Sequence, residues 1–164
     1  MNLPTSFRSA ICALAFAGLG LAALSAPAQA QYRQPISNDP AVCRGDGPAV
    51  TVTGIKASAG RMRVQLYRGT RQDWLEKGRW IHRIEAPARA GSMTFCMPVP
   101  AAGSFGIGVR HDVNGNGETD LTQDGGGASN NPSINLFNLG KPSYDKAAFD
   151  VSGARSISIS MRYM

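Results

Sequence analysis

From Val50 onward the chain alternates. Val50 and Val52 alternate with Thr51 and Thr53, and beyond Ala59-Gly60 the apolar Met62, Val64 and Leu66 alternate with Arg61, Arg63 and Gln65. In an extended strand successive side chains point to opposite faces, so period two means one face in a core and the other in water. The same rhythm returns at Met93, Phe95 and Met97, at Phe105, Ile107 and Val109, and at Ile157, Ile159, Met161 and Tyr163. Further strands are expected around residues 80–84 and through Ala148, Phe149 and Val151. Glycine and proline turns separate these runs, and only residues 73–78 suggest a helical turn. About seven short strands predict an all-β chain. The expected form is an antiparallel β-sandwich of immunoglobulin-like or transthyretin-like shape, with a small barrel as the other closure. Residues 49–164 would form this domain, enough for a real core, and residues 125–132 would be a soft, glycine-rich connection.

Before the strands come two segments of different character. Residues 1–30 carry Arg8, an apolar run over 10–24 and a closing Ala28-Gln29-Ala30, the pattern of a secretory signal peptide cleaved after Ala30. The run is short of the roughly 20 residues that span a bilayer. Residues 31–48 hold Pro35, Pro40, Gly45, Gly47 and Pro48 with little periodicity, and read as an irregular N-terminal arm. Without the leader, sixteen basic residues face 11 acidic ones, so the mature chain stays basic at about +5 and has no membrane span. It keeps Cys43 and Cys96, which in an exported protein are expected to pair. In the chain-entropy account, closing a loop of that length stabilises by roughly 4 kcal/mol. Periplasmic or secreted placement follows from the leader.

The chemistry concentrates in Arg110-His111-Asp112-Val113-Asn114-Gly115-Asn116-Gly117-Glu118-Thr119-Asp120. Calcium takes six to eight oxygen ligands, and a loop supplies them at alternate positions with a glycine at the sharp turn. With Asp112 first, Asn114 and Asn116 fall third and fifth, Gly117 sixth, the Glu118 carbonyl seventh and Asp120 ninth. The twelfth position, where a helix-loop-helix sensor places a bidentate glutamate, is Gln123, with Asp124 one step beyond. The expectation is therefore a weak, structural calcium site of Asp112, Asn114, Asn116, Glu118 and Asp120, with Kd on the order of 10⁻⁴–10⁻³ M. Asp, Asn and Gly are also what a tight turn selects, so an ion-free turn is the competing reading.

Several runs together resemble one bacterial exported family, domain of unknown function 2141. They are Val50-Thr51-Val52-Thr53-Gly54, Gly60-Arg61-Met62-Arg63-Val64-Gln65-Leu66-Tyr67, Gly106 to Gly117, Ser129-Asn130-Asn131, and Lys141-Pro142-Ser143-Tyr144 to Phe149. The resemblance covers roughly residues 49–164, and its most specific part is the His-Asp-x-Asn-x-Asn-Gly run. It implies an exported β-sandwich without an assigned activity. Members of the family usually carry a longer Gly-x-Pro-x-Glu-Gly type stretch after the loop, where this chain has Asp124-Gly125-Gly126-Gly127-Ala128.

Catalysis is not expected. His82 and His111 are the two histidines, no nucleophile stands at a recognisable spacing from either, and too few ligands remain for zinc once the cysteines pair. The competing role is binding. Arg61, Arg63 and Arg83, with Trp74 and Trp80 among them, would form a basic face. It would suit an anionic envelope glycan, lipopolysaccharide or an outer-membrane protein, and not nucleic acid. The whole reads as a monomeric, non-enzymatic domain.

Overall fold

The computed structural model describes residues 34–164 except 46 and 154. The expected signal peptide and the first three residues of the arm lie outside the described residues. The chain runs α1 (Pro40–Arg44), β1 (Ala49–Ile55), β2 (Arg61–Arg68), β3 (His82–Pro87), β4 (Gly91–Cys96), β5 (Gly103–Asp112) and β6 (Gly125–Ala128). It continues through a 3-10 turn (Leu136–Asn138) into α2 (Tyr144–Ala147), β7 (Phe149–Val151), β8 (Ser156–Ser160) and β9 (Arg162–Tyr163).

The alternating runs become strands for the reason given by their period. Val50 and Val52 of β1, Phe95 of β4, and Ile157 and Ile159 of β8 line one inner face. Met62, Val64 and Leu66 of β2, Ile84 of β3, and Phe105, Ile107 and Val109 of β5 line the other. A sheet of order β4-β1-β8 thus closes over one of order β3-β2-β5-β6-β9, with β7 paired to the start of β5. Each fully buried aliphatic side chain contributes about 1.5–3 kcal/mol, so this all-β sandwich is held mainly from within.

Several details depart from the sequence reading. Among the described residues nine strands form where about seven were expected, and β1 and β8 run parallel while the other strand pairs there are antiparallel. The expected terminal strand is two: Met161 N–H donates to the Thr53 carbonyl at 2.8 Å, after which β9 pairs with β6 in the opposite sheet. Residues 125–132 were expected to be a soft connection, yet Gly125–Ala128 is a sheet strand. Glycine carries no periodicity, but the close approach needs it. A Cβ on Gly127 would stand 2.7 Å from Ile159 Cγ2, and one on Gly125 would stand 2.5 Å from the Tyr163 ring. Residues 73–78 make turns, not a helical turn, with Leu75 at φ 55 and Gly78 at φ 78.

The arm is more ordered than its composition suggests. Asp39 caps α1 by accepting from Ala41 N–H at 2.8 Å, with Pro40 in the first helical position, where its missing donor costs nothing. Cys43 is joined to Cys96, 53 residues on, which ties α1 to β4. That disulfide, and the lack of any helix long and apolar enough to cross a membrane among the described residues, are compatible with an extracytoplasmic protein.

Candidate functional site

On β5 the residues facing away from the core are Gly106, Gly108, Arg110 and Asp112. Their partners on β2 are Tyr67, Gln65, Arg63 and Arg61. The loop and the basic face expected separately from the sequence therefore meet on one outer sheet surface, at Arg110.

The loop curls as the spacing implies. Asp112 is 3% exposed, and its Oδ2 accepts from Gly117 N–H at 2.9 Å. Asn114 Oδ1 accepts from Asn116 N–H at 3.1 Å, and Asn116 Oδ1 accepts from Glu118 N–H at 2.8 Å. Gly115 and Gly117 take φ of 72 and 82, which lets the chain reverse without a Cβ clash. The side-chain amides of Asn114 and Asn116 both donate to Asp120 Oδ2, at 2.7 and 2.9 Å. The sequence left Asp124 outside the expected ligand set. It is buried and closes the loop, its carboxylate accepting from Val113 and Asp120 N–H at 3.0 Å each. The other Asp112 oxygen, Oδ1, is buried and has no hydrogen-bond partner among the described residues. No group of three or more His, Cys, Asp or Glu side chains is gathered for a metal among those residues. A cation at the loop would therefore rest on two carboxylates, amide oxygens and a backbone carbonyl.

Arg110 joins the loop to the sheet. Its guanidinium donates to Thr119 Oγ1 and to the Gly117 carbonyl, both at 2.8 Å, and lies 3.6 Å from Asp112. Across the β2–β5 register it faces Arg63, and like charges placed directly opposite are destabilising. Arg63 donates to Glu85 at 2.7 Å, and the same carboxylate also serves Arg83 at 3.6 Å and Arg61 at 3.8 Å. One acid thus answers three cations. Burial, and then the charge of Arg63, make both Arg83 and Arg110 easier to deprotonate than an ordinary arginine. The hydrogen-bond network turns the Gln65 amide oxygen toward Arg83, where it accepts from Nε at 3.2 Å, from Nη2 at 3.0 Å and from Tyr67 Oη at 3.3 Å. Burial pushes the Tyr67 hydroxyl up to about 12.

The expected binding face changes character here. Trp74 is buried edge-on to Tyr67, its ring closing over Gly106, and its Nε1 donates to the Pro142 carbonyl at 2.7 Å. Trp80 is buried under Arg83, whose guanidinium carbon stands 3.7 Å from its ring centre. Neither indole is presented to solvent for a polymer to stack on. The strand alternation could not foresee this, because residues 71–81 fold back over the outer face as a loop.

His111 belongs to the frame. Its Nε2 stands 2.8 Å from the Ala59 carbonyl, which can only accept, so that nitrogen carries a proton, and Nδ1 is hydrogen-bonded to Tyr163 Oη at 2.7 Å. Tyr163 in turn accepts from Lys56 N–H at 3.0 Å. Burial raises the tyrosine's pKa, and the Lys56 contact partly offsets that. Ser129, Asn130 and Asn131 form a second brace. Ser129 Oγ accepts from Ile107 N–H, Asn130 reaches the Ala148 carbonyl at 2.7 Å, and Asn131 bridges to Ser158 and Ser160 of β8.

A protein-family model described as an uncharacterised protein conserved in bacteria (DUF2141) matches residues 50–159. No curated protein and no solved structure matches the chain.

Proposed function

The chain belongs to that bacterial family, domain of unknown function 2141. On that premise we propose that it is an exported, non-catalytic β-sandwich domain, periplasmic or secreted, whose Asp112–Asp124 connection is stiffened by one calcium ion. The observation that carries this reading is Asp112 Oδ1, a buried carboxylate oxygen with no partner at the first position of an oxygen-rich loop. An unsatisfied buried charge is costly, and a hard cation removes that cost. Asn114 Oδ1 and Asn116 Oδ1 each accept one backbone N–H and retain a second lone pair. The two amide groups on Asp120 would give way to the ion. Arg110, 3.6 Å from Asp112, competes for the same carboxylate, which suits weak binding. The absence of catalysis in this reading is supported by His111, whose two nitrogens are both committed to structural bonds.

The test is thermal melting across a calcium titration. About 10 mM calcium against a Kd near 10⁻⁴ M stabilises by about 2–3 kcal/mol, a rise of several degrees for a domain of this size. Magnesium, which demands tighter octahedral geometry, should do much less. Asp112→Ala should abolish the response, and Asp120→Asn should weaken it. If wild type and Asp112→Ala respond alike, the loop is only a turn.

A further inference from the structure

Two clefts, of about 410 Å³ and about 400 Å³, adjoin on the outer face of the large sheet and share seven residues, Arg63, Gln65, Tyr67, Arg110 and Lys141 among them. They differ in chemistry. The first opens over Gly126, beside Gly108, which Leu75 already covers, and its walls include Leu75, Ile134 and Pro142, with Asp120 and Asp124 on the loop side. A Cβ on Gly126 would come no closer than 3.9 Å to Ile134, so this floor is roomy, unlike the tight approach at Gly125 and Gly127. The second is basic: Arg63, Lys77, Arg83, Arg110 and Lys141 line it against Glu76 and Glu118. Each volume falls within the roughly 300–1,000 Å³ of ordinary small-molecule sites.

Two further observations point to an occupant. Among the described residues the large apolar side chains most open to water are Phe137, Leu139 and Met164, at 100%, 67% and 40% exposure. Leu139 and Met164 stand on the wall of the apolar cleft, and Phe137 lies two residues before Leu139. Two exposed apolar groups, Leu139 and Met164, thus stand at one mouth, as a binding surface presents them. At the other end, Arg110 Nε is buried without a hydrogen-bond partner among the described residues, and Arg110 faces Arg63 across the register. An oxyanion lodged beside them would answer the two facing charges, since guanidinium groups match carboxylate and phosphate oxygens.

We propose that the adjoining clefts bind one amphiphilic anion, its oxyanion head among Arg63, Arg83 and Arg110 and its apolar chain along the glycine floor toward Leu139 and Met164. A fatty-acid carboxylate and a lipid phosphate monoester share this chemistry.

Calorimetric titration of the purified full chain with decanoate and with decyl phosphate, both below their micelle concentrations, tests it. Acetate and inorganic phosphate serve as heads without chains, and decyl maltoside as a chain without charge. At least one amphiphilic anion should bind about tenfold or more tightly than all three controls, and the tighter of the two identifies the headgroup. Gly126→Leu fills the floor beside Arg110, its partner across the register, and should weaken binding about tenfold or more. Arg63→Gln should erase the preference over decyl maltoside; if its melting curve shows a misfolded protein, Arg83→Gln replaces it. Equal binding of the neutral surfactant, equal binding of acetate or phosphate, no binding of either anion, or an unchanged affinity in a folded Gly126→Leu protein each overturns the proposal.

Discussion

Along β5, successive residues live in two different chemistries. Facing inward, Phe105, Ile107, Val109 and His111 are all buried, and the one polar member has both nitrogens bonded. Facing outward, Gly106, Gly108, Arg110 and Asp112 share a surface where two buried polar atoms, Arg110 Nε and Asp112 Oδ1, have no partner among the described residues. The inner row is saturated, so it determines the fold and leaves nothing for a ligand to add. The outer row combines glycines, over which Trp74 and Leu75 close, with charges that their neighbours only partly answer, and space opens beside it at Gly126. Space and uncompensated charge are what a binding surface needs, and a core cannot tolerate either.

The contrast breaks most readily at adjacent residues. Ile107→Ala removes a fully buried side chain and should cost about 2–5 kcal/mol in urea unfolding. Gly108→Ala, one residue on, should cost about 1 kcal/mol or less, because its Cβ presses on the tip of Leu75, at 2.8 Å, and meets the Tyr67 ring at an ordinary 3.7 Å. Comparable losses at the two sites would erase the distinction between the faces. A smaller effect is expected at the polar end of the inner row. His111→Leu strands the Ala59 carbonyl and the Tyr163 hydroxyl, at about 1–3 kcal/mol, with the β structure retained by circular dichroism. A loss no larger than that of a surface substitution would mean that the relay through Tyr163 does not brace the sandwich.

The smallest effect at neutral pH belongs to the outer face, at Tyr67. Its folded pKa is raised above the ordinary value of 10.0 to about 12, so the folded state holds this proton more tightly than the unfolded chain does. Its contribution to stability is fully present below pH 10 and is lost as pH rises toward 12. Tyr67→Phe should melt like wild type at pH 7 and lose stability less steeply above pH 10. Parallel alkaline profiles for the two proteins would show that Tyr67 ionises freely.

Much of the frame was legible beforehand. β1, β2, β5 and β8 announce themselves because alternation is a property of neighbouring residues, and the oxygen spacing from Asp112 to Asp120 is local in the same sense. β6 was not legible, since Gly125, Gly126 and Gly127 have no side chains to alternate; what makes them a strand is the closeness of Ile159 and Tyr163, more than thirty residues away. Nor did composition reveal that Trp74 and Trp80 would be buried. Their orientation depends on the 71–81 loop folding over Gly106 and Tyr67.

By itself, then, the sequence determined the all-β class, the position of the main strands, the Cys43–Cys96 partnership expected of an exported chain, and the curl of the loop. Each follows from spacing over a few residues or from a count of two. Only the tertiary structure decided that β8 lies parallel to β1, that Asp124 closes the loop and that one acid, Glu85, answers three arginines. It alone placed the arginines beside a glycine floor, because β2 and β5 bring Arg63 and Arg110 opposite one another across 47 residues of chain. Pairing between distant strands sets which side chains share a surface, and no local pattern encodes that choice.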